Sequence, residues 1–202
     1  MYVSLNSIVG FQIQSTDGPA GTVEDIFVDD ILWKVRHIAV ADAGGVGTQP
    51  ASIDPNSYGD LVPDEKTLNV NLTHGDISGG PDVSGDPPVS LQTDEHGDPH
   101  LRSAREIHGY RIDGIDGEAG KIGDFIVDDD EWKIHFIVVE TGDWNDGRTI
   151  VIAPGMLSKL DHDTKSAKLD LDLKKVAESP VYDPSVPIRS EEDIHVKGHA
   201  QV

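Results

Sequence analysis

The chain of 202 residues contains no cysteine, which removes disulfide scaffolds, thiolate zinc sites and thiol nucleophiles together. It is also poor in positive charge, with 16 Lys and Arg against 37 Asp and Glu, for a formal net charge of −21. Non-specific binding to nucleic acid or to an anionic membrane surface depends on bases that neutralise phosphates, so neither is expected. Aromatic residues are only 5% of the chain, which leaves any core to be built from aliphatic side chains. No stretch approaches the ~20 apolar residues that span a bilayer. The start, Met1-Tyr2-Val3-Ser4, has neither the basic n-region nor the apolar h-region of a secretory signal, and a soluble cytoplasmic protein is the expectation.

What the chain does have is Asp, Gly and Pro. There are 27 Asp against 10 Glu, with 21 Gly and 12 Pro, and all three favour turns over helix interiors. The composition is that of a turn-rich β protein.

The most informative feature is an internal repeat. Residues 8–40 lie over 107–139 at a constant offset of 99 without a gap, and 15 of the 33 positions are identical. The match continues with Ile53-Asp54-Pro55 over Ile152-Ala153-Pro154, and with Leu68, Val70 and Leu72 over Leu169, Leu171 and Leu173 after two inserted residues. Pro81 and Pro88 return to the offset over Pro180 and Pro187, so the Gly/Pro-rich stretches are repeat tails. Repeat one is placed at 4–98 with its core at 8–73, and repeat two at 103–197 with its core at 107–175.

Inside each repeat the apolar period is that of strands. Residues 10–14 and 109–113 read as short strands before Asp17-Gly18 and Asp116-Gly117, a hairpin signal. Residues 20–29 and 119–128 follow, and their parity slips between Val23 and Ile26 and between Ile122 and Phe125, which predicts a β-bulge in both copies. Charged turns lead to strands over 33–41 and 132–140. A fourth strand is expected at 148–153, a helical turn at Pro154–Leu157, and a last hairpin of 159–162 with 167–173. Six short strands with no long helix solve the edge problem by closing on themselves. The expected fold is therefore all-β: two six-stranded small β-barrels in tandem, related by a pseudo-two-fold, with short single-turn helices.

Residues in the second repeat carry a resemblance. Gly109-Tyr110, Asp116-Gly117, the run from Gly120 to Phe125, Val127-Asp128-Asp129, Trp132, Phe136 to Val139, Thr141-Gly142 and Val151 to Pro154 resemble the PRC-barrel family. The likeness is to the cytoplasmic domain of the photosynthetic reaction centre H subunit, whose exit segment is also similar to Pro180-Val181-Tyr182-Asp183 and Pro187-Ile188. The first repeat keeps Gly10, Asp17-Gly18, Gly21, Val28-Asp29-Asp30, Trp33 and Ile53-Asp54-Pro55. The resemblance implies a PRC-type barrel and a non-catalytic role, since relatives cap a membrane photosystem or dock a ribosome-maturation factor onto a ribosomal protein. It departs in carrying two barrels and no apolar run like the H subunit's transmembrane helix, so this chain looks like a tandem PRC-barrel protein.

Candidate sites were weighed against plainer explanations. The run Asp128-Asp129-Asp130-Glu131 offers oxygen ligands for a hard cation, but it lacks the ligand spacing and central Gly of a calcium loop, and a solvated turn explains it. Asp94, His96 and His100 recur as Asp193, His195 and His199, without the further fixed ligands of a metal site. His37 and His135 read as structural. Trp33 and Trp132 hold the same position and read first as packing, with an exposed anchor as the functional alternative. Trp144, in the loop Gly142 to Gly147, has no counterpart and is the better contact candidate. There is no Gly-x-Ser-x-Gly elbow, His-Glu-x-x-His helix or phosphate loop. No catalytic, cofactor or metal residue is assigned. The leading reading is a non-enzymatic protein-interaction or scaffold module with a protein partner and possible homodimerisation. A cation- or small-ligand-binding acidic protein comes second, and a hydrolytic or other enzyme with a site between the barrels third.

Overall fold

The computed structural model describes residues 1–41, 51–78 and 100–186. The chain divides into two compact units, one from Leu5–Arg105 and the other from Met1–Ser4 together with the chain from Glu106 onward. No helix among the described residues is long and apolar enough to cross a membrane.

The unit from Leu5 onward is a seven-stranded sheet. Its strands are β2 (Gln12–Ser15), β3 (Gly18–Asp29), β4 (Lys34–Ala41), β5 (Ala51–Ile53), β6 (Tyr58–Val62), β7 (Thr67–Val70) and β8 (Leu101–Ser103). They run in the order β5-β4-β3-β2-β7-β6, with β8 added on β3. The pairs are antiparallel except β2 with β7, which is parallel. The second unit repeats this with β1 (Tyr2–Ser4), β9 (Arg111–Asp113), β10 (Glu118–Asp128), β11 (Ile134–Glu140), β12 (Thr149–Ile152), β13 (Leu157–Asp161) and β14 (Ser166–Leu169). Its order is β12-β11-β10-β9-β14-β13, with β1 added on β10.

Two details differ from the sequence expectation of six-stranded closed barrels. Each sheet has a seventh strand, and among the described residues no ladder joins β5 to β6 or β12 to β13, so neither sheet closes by hydrogen bonds. These pairs are consecutive in sequence, and a Pro-initiated 3-10 turn, Pro55–Ser57 or Pro154–Met156, redirects the chain between them. The last apolar run also ends as a strand sooner than its pattern suggests. Strand β14 stops at Leu169, and Leu173 begins a short helix, Leu173–Ala177, that buries Val176 and is capped by Asp172. Its counterpart is His74–Ser78, which buries Ile77.

The bulges occur where the parity slips. The register shifts between Val23 and Asp25 and between Ile122 and Asp124. In both copies the Asp just after the shift turns one oxygen on the next backbone N–H, Ile26 at 2.8 Å and Phe125 at 2.7 Å. Its other oxygen accepts from a serine on the seventh strand: Ser103 donates to Asp25 at 2.7 Å, and Ser4 donates to Asp124. The seventh strands are themselves 99 residues apart, and they are exchanged. Strand β1 pairs Val3 with Val127, whereas β8 pairs Arg102 with Val28.

The core is aliphatic, as the scarcity of aromatics requires. Ile13, Ala20, Val23, Ile26, Val35, Ile38 and Leu68 are buried in one unit, and Ile112, Ala119, Ile122, Phe125, Ile134, Ile137 and Leu169 fill the matching places in the other. Asp17 and Asp116, of the Asp-Gly turns, accept the first backbone N–H of the short helices, from His74 at 2.7 Å and Leu173 at 2.8 Å. These recurring acids thus tie the first hairpin of each repeat to its end.

Candidate functional site

The recurring Asp-Asp turns resolve into a structural device. Asp29 is 5% exposed and accepts from the Ile31 and Leu32 backbone at 3.0 and 2.7 Å, while its second oxygen pairs with Arg36 at 3.0 Å. Asp128 accepts from Asp130 and Glu131 at 2.7 and 3.2 Å. Trp33 and Trp132 lie just ahead of β4 and β11, not within them. Both adopt the left-handed conformation, with φ of 52° and 55°, and both close the turn through N–H bonds to Asp29 and Asp128 carbonyls at 2.9 and 2.8 Å. A bulky residue there costs about 1–2 kcal/mol, which the turn and the burial of the ring must offset. Trp132 is 3% exposed and Trp33 half-buried, so the packing role is fully met by the ring of Trp132 and in part by that of Trp33.

One carboxylate oxygen from each of Asp128, Asp129 and Asp130 lies within 4.8 Å of the others. Asp128 and Asp129 already have partners. Burial opposes the charge on Asp128, but the N–H groups of Asp130 and Glu131 and the Met1 ammonium outweigh it and hold its pKa below the usual range. Asp129 bonds the Met1 ammonium, whose pKa rises in return. Of the two His motifs, only His100 falls within the described residues, where its Nδ1 meets Asp30 Oδ1 at 3.0 Å. Asp94, His96, Asp193, His195 and His199 lie outside them.

Trp144 sits differently. It is 39% exposed, on a 3-10 turn, Asp143–Asn145, and its indole N–H donates to the Ala119 carbonyl at 3.2 Å. The ring is thereby pinned to the start of β10 while much of its surface stays open. The loop around it is tightly closed: Gly147 N–H donates to Gly142 O at 2.9 Å, and the Thr141 hydroxyl to Arg148 O at 2.7 Å. Gly142 and Gly147 have φ of 65° and 67°, a conformation that suits glycine.

The ring borders a groove of about 510 Å³, within the usual size range of ligand sites. Glu118 and Lys121 of β10, Glu140 at the end of β11, and Asp143 and Trp144 of the loop supply its chemistry. Gly120 lies within its lining, and a Cβ there would stand 2.2 Å from the Glu140 carbonyl oxygen, so only glycine allows the two strands to approach this closely.

Sequence reasoning reached Trp144 but not the groove. The missing signal was available in the repeat: at the places of Glu118, Lys121, Glu140, Asp143 and Trp144 the first copy carries Pro19, Thr22, Ala41, Gly44 and Gly45. The scaffold positions beneath, Ala119 and Gly120, recur as Ala20 and Gly21. A buried polar group was also missed. Tyr110, 1% exposed, donates to Glu106 at 3.1 Å and lies 3.3 Å from His162 Nδ1, where the first copy has Phe11 and Ser7 for the tyrosine and the glutamate.

Comparison of the chain with protein-family models and with curated proteins finds no match.

Proposed function

We propose that the chain is a non-enzymatic tandem PRC-barrel protein that works as a protein-interaction or scaffold module, with the Trp144 groove as its docking point. The observation that carries this reading is a tryptophan pinned by its own N–H, partly exposed, in a groove whose side chains all differ between two otherwise matching repeats. Tryptophan is enriched among residues that dominate binding energy at protein interfaces, and a rigid one loses little entropy on docking.

In this reading each seven-stranded sheet is a PRC-type barrel left unzipped at one seam, between β5 and β6 and between β12 and β13. The residues that resemble the family are spent largely on scaffold: Asp116 on a helix start, Asp128 on a turn, Gly109 and Gly120 at positive φ. The work of binding then falls mainly to Glu118, Glu140, Asp143 and Trp144, which lie outside that set, and the protein acts in the cytoplasm on another protein.

The test is affinity capture from native extract with the full chain and its Trp144→Ala variant. A specific protein is expected with the parent chain and at least tenfold less of it with the variant, a loss of ~1.4 kcal/mol or more. Repeated recovery of no partner, or equal recovery with both chains, overturns the reading.

A further inference from the structure

We propose that the Trp144 groove receives an arginine side chain from a basic, exposed segment of a partner protein. The inference rests on the interaction-module reading and adds the chemistry of the partner.

The charge in the groove is unbalanced. Glu118, Glu140 and Asp143 line it against the single base Lys121, and among the described residues no ion pair engages any of the three acids. A cation from outside is therefore the complementary occupant, and the chain's charge of −21 steers basic segments toward it. The shape of the charge argues against a bare metal ion. Three acids whose ligand oxygens gather within 4.8 Å occur among the described residues only at Asp128–Asp130, so the groove's three carboxylates are not gathered into one such cluster.

A cation that suits ungathered carboxylates beside an aromatic face is planar and extended. Guanidinium stacks on an indole while its N–H groups remain free for carboxylates at its edge, whereas ammonium is a compact, strongly hydrated point charge. Trp144 is arranged for this role. Its only N–H is already committed to Ala119, so the open part of the ring offers π surface and no competing donor. The remaining lining is small, three glycines, Gly120, Gly142 and Gly147, with Thr141 and Thr149, which leaves room for the backbone of an extended segment. In the first repeat the matching residues, Pro19, Thr22, Ala41, Gly44 and Gly45, carry neither charge nor aromatic ring, which assigns the site to the second repeat alone.

The test uses the full ¹⁵N-labelled chain and the peptide acetyl-Gly-Arg-Gly-Arg-Gly-amide, with citrulline- and lysine-containing versions as controls. The chain has three tryptophans, so its three indole N–H signals are separable, and Trp144→Phe identifies the one from the groove. The arginine peptide is expected to shift that signal and the Gly120, Gly142 and Gly147 amides along one saturable curve. The citrulline peptide, of the same shape without charge, should bind roughly tenfold more weakly, and the lysine peptide should fall between. Glu140→Gln and Glu118→Gln should each weaken binding by about two- to fivefold. No saturable shift up to ~10 mM peptide, or equal binding of the citrulline peptide, overturns the proposal. If the peptide is silent while capture from extract still depends on Trp144, the arginine assignment fails and the module reading stands. If the peptide binds but capture ignores Trp144, the arginine site stands and the module reading fails.

Discussion

His37 and Phe136 hold the same place in the two repeats and show how one residue changes the chemistry of a shared scaffold. Phe136 is buried in a small cluster with Ile126, Val138 and Val151. His37 is only partly buried, its Nδ1 has no hydrogen-bond partner among the described residues, and burial holds its imidazole below the usual histidine range. Asp54 pulls the other way and Arg36 adds to the depression. A folded pKa below the unfolded value near ~6.5 means that the unfolded chain takes up the proton first. The stability His37 supports is therefore complete above that value and is lost as pH falls toward the folded pKa. His37→Phe should remove this term. The melting temperature of the parent chain, measured relative to the variant, is expected to be constant above pH 7 and to fall between pH 7 and 5. A flat difference across that range would contradict it.

At the same scale the sequence was legible where a residue repeats and opaque where it changes. The recurring Asp25 and Asp124, Asp29 and Asp128, and Asp17 and Asp116 all proved to be backbone-binding acids, which accounts for their place in the repeat without any ligand. The side chains lining the groove show in the repeat only as mismatches. Only comparison of the two copies as scaffold and variation exposes them.

Among the elements, the strands and bulges were readable because their parity spans enough residues to show a period. Strands β1 and β8 were not. Three residues have no period, and the sequence gives no sign that each would complete the sheet of the other repeat. Their anchor was visible only as serines at 4 and 103, and a hydrogen bond from such a serine to an ionised acceptor is worth about 1.5–3 kcal/mol. The absence of native cysteine makes the exchange easy to test. Val3→Cys with Val127→Cys should form an intrachain disulfide, seen as a mobility shift without reductant, because these residues are register partners. Val3→Cys with Val28→Cys should not. Cross-linking of the second pair and not the first would show that each repeat keeps its own strand. The end of the second repeat was misread for a related reason: the apolar spacing through Leu169, Leu171 and Leu173 fits a strand, but Asp172 caps a helix that begins at Leu173.

For the whole molecule, the charge divides into −13 on residues 4–98 and −9 on 103–197, with Arg102 between them, so it belongs to both repeats and to no single site. Self-repulsion of this size should be relieved by screening, since the Debye length shrinks from ~10 Å at 0.1 M salt to ~3 Å at 1 M. The melting temperature is expected to rise between 0.05 and 1 M potassium chloride, and a steady fall would sink that account. The same screening should weaken docking at the Trp144 groove, because stability and recognition draw on opposite consequences of the one excess charge.

The central claim is that the second repeat, through Trp144, is the surface that meets a partner. Site-specific photo-crosslinking tests it most directly: benzoylphenylalanine is placed at Thr149, which lines the groove and leaves Trp144 intact, and at Ile115 as a control, since that side chain is 73% exposed and lies outside the groove. Irradiation in native extract is expected to give a discrete adduct from position 149 that is absent from position 115 and that Trp144→Ala removes. Adducts of equal yield from both positions, or an adduct from 149 that survives Trp144→Ala, would contradict it.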